Sequence, residues 1–405
     1  MNCRFCKTLL SNIFVELINA PASNSYLTKE QLDEPETFYP LKIYVCEKCK
    51  LVQIDEYKKS DDIFDKDYAY FSSFSTSWLA HAKNYVEMIS NKLLLDENSL
   101  VTEIASNDGY LLQYFKEKDI PSLGIEPTAN TAKVAKEKGI EVIEDFFGSS
   151  LAHDLKKSDL ILGNNVLAHV PDINDFVQGL KIVLKDNGTI TMEFPHLLNI
   201  IKENQFDTIY HEHFSYLSFY TVKQIFEAQG LKLYDVEKLT THGGSLRIYA
   251  THSENNAMNI STNVNQLLEE EKEFGLFDID IYSGFQEKAN KVKYDLLDFL
   301  LQAKKENKKV IAYGAAAKGN TLLNYAGVKN DLIEFVVDKS PYKQGKYLPA
   351  SHIPIVDELE IGKNKPDYIL ILPWNIKDEV MSQLRYVKDW DCKFVVAVPR
   401  LEIIK

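Results

Sequence analysis

Long apolar runs, a basic excess and abundant cysteine are all missing from this 405-residue chain. No stretch approaches the ~20 uninterrupted apolar residues of a membrane-spanning helix, so no membrane partner is expected. Ile13-Phe14-Val15 is interrupted by Asn12 and Glu16 and lies within a cysteine-bearing segment, unlike a secretory signal. A cytoplasmic setting is the expectation. Lysine and arginine number 46 against 59 acidic residues, a net charge of −13. A surface of that sign repels polyanions, and no local basic stripe offsets it, so a nucleic-acid partner is not expected. An anionic small molecule remains compatible, because a few placed cations suffice to bind one. With 45% hydrophobic and 26% charged residues, extended disorder and fibrous repeats are excluded. The length fits two or three domains, and the oligomeric state is not legible.

Cysteine is scarce, yet four of the five residues form two Cys-x-x-Cys pairs, Cys3/Cys6 and Cys46/Cys49. Two such knuckles can place four thiolates around one tetrahedral zinc. The 39 residues between the pairs exceed common ribbon spacings, so a small subdomain must loop out. Disulfides fit poorly without a secretory signal and with Cys392 left over. A redox role would leave the second pair unexplained. Four cysteines close the coordination shell, so the expected zinc is structural.

Beyond the zinc module, Trp78, Leu79, Ala82, Tyr85, Val86 and Ile89 fall on one helical face. Strands and helices then alternate. Strands are expected over 100–105, 122–126, 160–164 and 189–194, with helices over 110–118, 131–138 and 173–184. The pattern is that of an open, mostly parallel α/β sheet, closed by a strand from Gly243-Gly244 to Ala250. Residues 254–306 read as a charged helical connector. A second, shorter α/β series runs from Val310 to Val398.

Two constellations carry chemistry. In Val101-Thr-Glu-Ile-Ala-Ser-Asn-Asp-Gly109, a strand enters a turn and then a helix, the place where doubly wound sheets bind nucleotides. The spaced glycines of a dinucleotide site are absent. An acidic Glu103 inside the strand suits an amino-bearing ligand, and Glu126, about twenty residues on, can accept from ribose hydroxyls. Together they favour S-adenosylmethionine over NAD, although Asn107-Asp108-Gly109 is also compatible with a plain turn. The second constellation is Tyr210-His-Glu-His213, with Tyr216 close behind. Zinc is a competing reading, but metallohydrolase helices space His and Glu differently. A histidine near its ordinary pKa is the natural general base at neutral pH. His169 is expected at the end of a central strand, where open sheets keep their ligands.

These segments, with the aromatic-Ser-Ser run around Tyr70, Gly314-Ala-Ala-Ala-Lys-Gly319, Asp338-Lys-Ser-Pro-Tyr-Lys-Gln-Gly345 and Ser351-His-Ile-Pro354, resemble the sugar C-methyltransferases acting on nucleotide-linked 4-keto-deoxy sugars. The resemblance spans nearly the whole chain. Ala350 and the Ala105-Ser106 turn depart from the glycines that pattern carries. The resemblance implies an N-terminal zinc-binding module (1–80), a class I Rossmann-like methyltransferase core (81–253), and a connector with a second Rossmann-like domain (254–405). It makes His213 the base, with Tyr70, His169, Tyr210 and Glu212 lining its pocket. It puts Glu103, Asn107, Gly109, Glu126 and Asn165 around S-adenosylmethionine. The substrate it implies is a nucleotide-diphosphate keto-sugar, with Lys318 and Arg247 as candidates for the phosphates. In Gly314-x-Ala316-x-x-Gly319 followed by Asp338 there is also half of a dinucleotide fingerprint. Two rival readings stay open: methylation of oxygen or nitrogen, and a zinc-ribbon binding protein on a degenerate methyltransferase scaffold.

Overall fold

The computed structural model of the chain describes residues 1–59 and 71–405. Strand β1 (Asn12–Ala20) and strand β2 (Tyr39–Val45) lie between the two cysteine pairs, and β3 (Val52–Ile54) follows the second pair. Helix α1 (Thr76–Leu93) starts where the Ser75 hydroxyl accepts from Trp78 N at 3.2 Å, an N-cap for an orphan helix donor. It buries Trp78, Ala82, Tyr85, Val86 and Ile89, the face read from the sequence. It stops at Leu94, whose φ of 54° is left-handed.

An alternating series follows: β4 (Val101–Ile104), α2 (Leu112–Lys116), β5 (Ser122–Ile125), α3 (Ala129–Glu137), β6 (Glu141–Ile143), β7 (Ser158–Asn164), α4 (Ile173–Val183) and β8 (Leu184–Pro195). The short β9 (Ser215–Tyr216), α5 (Phe219–Ala228), β10 (Leu231–Leu239) and β11 (Ser245–His252) complete this part. Next come α6 (Thr262–Phe274), α7 (Phe285–Lys305), β12 (Val310–Tyr313), α8 (Ala317–Ala326), β13 (Val336–Val337), β14 (Ile355–Val356), β15 (Tyr368–Ile371), β16 (Lys393–Val396) and β17 (Glu402–Ile404).

Contacts divide the described residues into two compact units: Met1–Asn12, Val45–Leu197 and His213–Ile279 in one, and Ile13–Tyr44, Leu198–Glu212 and Asp280–Lys405 in the other. The first holds a seven-stranded sheet, among the described residues, in the order β10-β11-β8-β7-β4-β5-β6. Its strands from β4 to β8 are parallel, whereas β11 runs antiparallel to both β8 and β10. From β4 the chain moves outward through β5 and β6, then returns to the other side as β7 and β8. That reversal opens a crevice beyond the carboxyl ends of β4 and β7. Val101, Leu160, Ile161 and Leu162 are wholly buried in these strands, each worth about 1.5–3 kcal/mol relative to exposure.

The second unit holds a sheet in the order β14-β13-β12-β15-β16-β17, parallel except for β17. Its reversal falls between β12 and β15. The stretch between the cysteine pairs belongs here. Phe14 stacks on Phe285 with centroids 4.5 Å apart, and Asn320 Nδ2 donates to the Ser23 carbonyl at 2.6 Å. The looped-out subdomain is therefore part of the C-terminal fold by its packing.

Candidate active site

The four thiolates converge first. Sγ atoms of Cys3, Cys6, Cys46 and Cys49 all lie within 4.8 Å of one another, with no disulfide among them. A tetrahedral zinc with bonds of about 2.3 Å needs sulfurs about 3.8 Å apart, so the set fits the metal. Both knuckles are built alike. Lys7 N donates to the Cys3 carbonyl and Lys50 N to the Cys46 carbonyl, each at 2.9 Å, and each lysine is left-handed with φ of 61°. Gln53 Nε2 reaches Cys3 Sγ at 3.3 Å, an outer contact that orients a ligand. The module is fastened to the methyltransferase part: Thr221 Oγ1 donates to the Cys49 carbonyl at 3.1 Å, and the Arg4 guanidinium lies over the Phe214 ring.

At the carboxyl end of β4 the turn takes left-handed backbone at Ala105, Asn107 and Gly109, with φ of 57°, 50° and 73°. Ala105 holds without glycine a conformation that costs an L-residue about 1 kcal/mol. Space at Gly109 is also close: a Cβ there would stand 2.3 Å from the end of the Ile140 side chain and 3.2 Å from Ala135 Cβ. The Glu126 carboxylate ties this turn down, accepting from Asn107 N at 2.8 Å and Thr128 N at 2.9 Å. Glu126 thus closes the loop in addition to offering an acceptor at the end of β5.

Glu103 is wholly buried, and neither of its carboxylate oxygens meets a donor at hydrogen-bonding geometry. Burial holds its carboxyl well above the usual range, with only partial relief from the Tyr110 hydroxyl. Ser106 Oγ and Asn165 Oδ1, on the turns after β4 and β7, are likewise buried without partners. Orphaned acceptors clustered at a sheet's reversal point fit a ligand carrying ammonium and sulfonium charge. S-adenosylmethionine carries both, and the residues present match it.

The histidines separate cleanly. His213 meets His169 edge-to-face with centroids 4.6 Å apart, and Tyr216 at 6.1 Å. His169 closes a single helical turn after β7, directly beyond the Asn165 turn. His213 and His169 are both partly open to solvent. His211 is 3% exposed; its Nε2 donates to the Pro40 carbonyl at 3.2 Å, and its ring packs edge-on against Tyr39. It anchors the segment. Tyr210 is half-buried, whereas Glu212 is buried and both its carboxylate oxygens accept from the Asn24 amide nitrogen, at 2.8 and 3.0 Å. Tyr70 lies outside the described residues.

A further buried carboxylate, Glu193 near the end of β8, interrupts its strand as Glu103 does in β4, a signal the sequence carries. His81 Nε2 meets it at 2.8 Å, Thr241 Oγ1 donates to it at 2.7 Å, and Arg247 at 3.1 Å. Burial pushes this carboxyl up, but His81 and Arg247 outweigh it and hold it below the usual range. Arg247 also pairs with Glu237 at 3.2 Å and covers the Tyr85 ring. Expected beside a phosphate, it is 4% exposed and taken up by carboxylates. Buried Glu193 and the partly exposed Glu237, in the two neighbouring strands, hold it inward.

In the C-terminal unit, the Asp338 carboxylate is already filled: Ala315 N and Ser340 N each donate to it at 2.8 Å, and Lys343 approaches at 3.4 Å. Tyr26 donates to the Ala315 carbonyl at 2.6 Å, beside Lys343 Nζ at 2.8 Å. Main-chain amides and Lys343 occupy the acidic end of the half-fingerprint, which disfavours a dinucleotide there. Lys318, in the first turn of α8, donates to Asn375 Oδ1 at 2.8 Å and lies 4.8 Å from the Trp374 ring centre. Trp374 Nε1 in turn donates to the wholly buried Asp207 at 2.7 Å.

Family profiles match residues 3–64 as "Putative zinc binding domain", 79–236 as "Methyltransferase domain" and 240–399 as "C-methyltransferase C-terminal domain". C-methyltransferase NovU of Streptomyces niveus is 30% identical over 390 residues, covering 95% of this chain and 92% of that protein. Among solved structures, magnesium protoporphyrin IX methyltransferase ChlM of Synechocystis, with bound SAH, is 14% identical. It covers 43% of this chain and 83% of its own, with a TM-score of 0.35. An S-adenosylmethionine-dependent methyltransferase of Clostridium acetobutylicum is 11% identical, covering 42% and 90%, also at a TM-score of 0.35. With a four-cysteine zinc site, a cofactor crevice and end-to-end similarity to NovU, the chain belongs to the zinc-containing, S-adenosylmethionine-dependent C-methyltransferases.

Proposed function

We propose that the enzyme methylates the ring carbon next to the keto group of a nucleotide-linked 4-keto-deoxy sugar, through an enolate formed by a protein base. The observation that carries this reading is the division of labour between the histidines: His213 is partly open and beside His169, while His211 is buried on the Pro40 carbonyl. S-adenosylmethionine, held by Glu103, Asn107, Gly109, Glu126 and Asn165, supplies an electrophilic methyl group. A keto group acidifies the adjacent C–H bond, so one imidazole suffices to take that proton. As His213 removes it, the C–H electron pair moves into the ring and negative charge gathers on the keto oxygen. His169 is a neighbouring donor for that oxyanion, with Tyr70 and Tyr210 as further candidates. Lys318 is the cation proposed for the diphosphate. Arg247, paired with Glu193 and Glu237, serves instead to hold the buried network.

Domain limits near residues 80 and 253, and a cytoplasmic setting, belong to the same proposal. Among the described residues no helix is long and apolar enough to cross a membrane. The test is a panel of nucleotide-linked 4-keto sugars deuterated beside the keto group. Product that gains one methylene in mass and loses the deuterium supports the reading. Gain of mass with the deuterium retained would mean methylation at oxygen or nitrogen.

A further inference from the structure

Asn24 sits in the stretch between the two cysteine pairs, far in sequence from Glu212, yet its amide faces that carboxylate squarely. Asn24 Nδ2 lies 2.8 Å from one Glu212 oxygen and 3.0 Å from the other. The amide's orientation is fixed by its other end, where Oδ1 stands 3.1 Å from the Tyr26 hydroxyl. Turned over, the amide would set its oxygen against a carboxylate. Tyr26 is itself fixed, 8% exposed, with its single proton shared between Asn24 and the Ala315 carbonyl at 2.6 Å. Lys343 Nζ meets the same carbonyl at 2.8 Å and lies over the Tyr26 ring, 5.5 Å from its centre. Glu212 is 3% exposed, so its charge depends on such donors.

We propose that Asn24 is a positioning residue for the reaction, acting through Glu212, the residue immediately before His213. The stretch looped out between the zinc knuckles thereby has a task apart from the metal. The inference rests on the reading of His213 as base. Asn24 donates to an ionised Glu212 and fixes its plane. An anion on the residue preceding His213 in the chain would favour the imidazolium formed when the ring proton is taken.

Asn24→Asp and Asn24→Ala make the test, because a space-filling role and a donor role predict opposite orders. Asp keeps the shape and replaces the donor with an acceptor. We expect Asn24→Ala to lower kcat by about 10–100-fold with KM little changed, and Asn24→Asp to lower it at least as far. Both should move the acidic limb of the kcat–pH profile, with zinc content and S-adenosylmethionine affinity intact. Asp behaving like the wild type while Ala fails would mean that Asn24 only fills space. Turnover is not needed for a decision. Carbon-13 NMR of the glutamate carboxyls, with Glu212 assigned by its loss in Glu212→Gln, reads its titration directly. Loss of the amide should raise the midpoint by about one pH unit or more, and a midpoint unmoved in both variants overturns the proposal. A wild-type enzyme that methylates no keto-sugar would instead refute the substrate reading, and the titration would still judge Asn24.

Discussion

Asp207 shows how one buried carboxyl sets a pH dependence. Burial raises it from an ordinary 3.8 to about 6, against opposing pulls from Lys318 and the Trp374 indole. A carboxyl raised in the folded state holds its proton more tightly there than in the unfolded chain. Stability therefore falls as pH climbs from about 4 to about 6 and stays lowered above. Asn mimics the protonated form and can keep the Trp374 contact. Asp207→Asn should match the wild type near pH 4 and exceed it by on the order of 2–3 kcal/mol at pH 7. Chemical denaturation across that range checks it; a variant less stable at pH 7 would mean that the anion is net favourable beside Lys318. Residue identity was readable in the sequence for the cysteines, Glu103 and the Tyr-His-Glu-His run. What separates His211 from His213 was not. That difference comes from Tyr39 and Pro40, about 170 residues away along the chain, and no local pattern encodes it.

Elements were more legible than contacts. Strands β4, β7 and β8 and the one-sided face of α1 fall where the sequence pattern puts them, the run Leu160-Ile161-Leu162 of β7 being buried on both faces as in a central parallel strand. β10 has no such run: Leu231, Leu233 and Val236 are interleaved with Lys232, Asp235, Glu237 and Lys238, as in a strand with one wet face. β17 is short and mostly exposed, so it lacked an apolar signal. Gly109 is legible in the sequence as a turn residue, whereas its close packing is not. Gly109 packs against α3 and Ile140 as well as adopting left-handed backbone. Gly109→Ala should cost roughly 1–3 kcal/mol through strain and overpacking together. It should also weaken S-adenosylmethionine binding, measured by calorimetry. Unchanged stability and affinity would show that Ile140 yields freely and that the turn does not need this glycine.

At the scale of the whole molecule, the zinc knuckles and the stretch between them serve different units. The metal cluster packs with the methyltransferase part through Arg4 and Thr221, whereas β1, β2 and the Asn24–Tyr26 segment pack with the C-terminal fold. Binding energy at a structural zinc site is folding energy. Cys46→Ser should therefore lose metal and thermal stability together, as read by elemental analysis and melting of the same samples. Full stability without metal would remove zinc from the account of the fold.

The central claim is that His213 takes a proton from a ring carbon. Exchange of that proton in deuterated water, followed by NMR on a nucleotide-linked 4-keto sugar, isolates this step from methyl transfer. The wild type should catalyse exchange, His211→Asn should retain most of it, and His213→Asn should slow it by about 10²–10⁴-fold. Exchange that persists in His213→Asn and vanishes in His211→Asn would contradict the assignment.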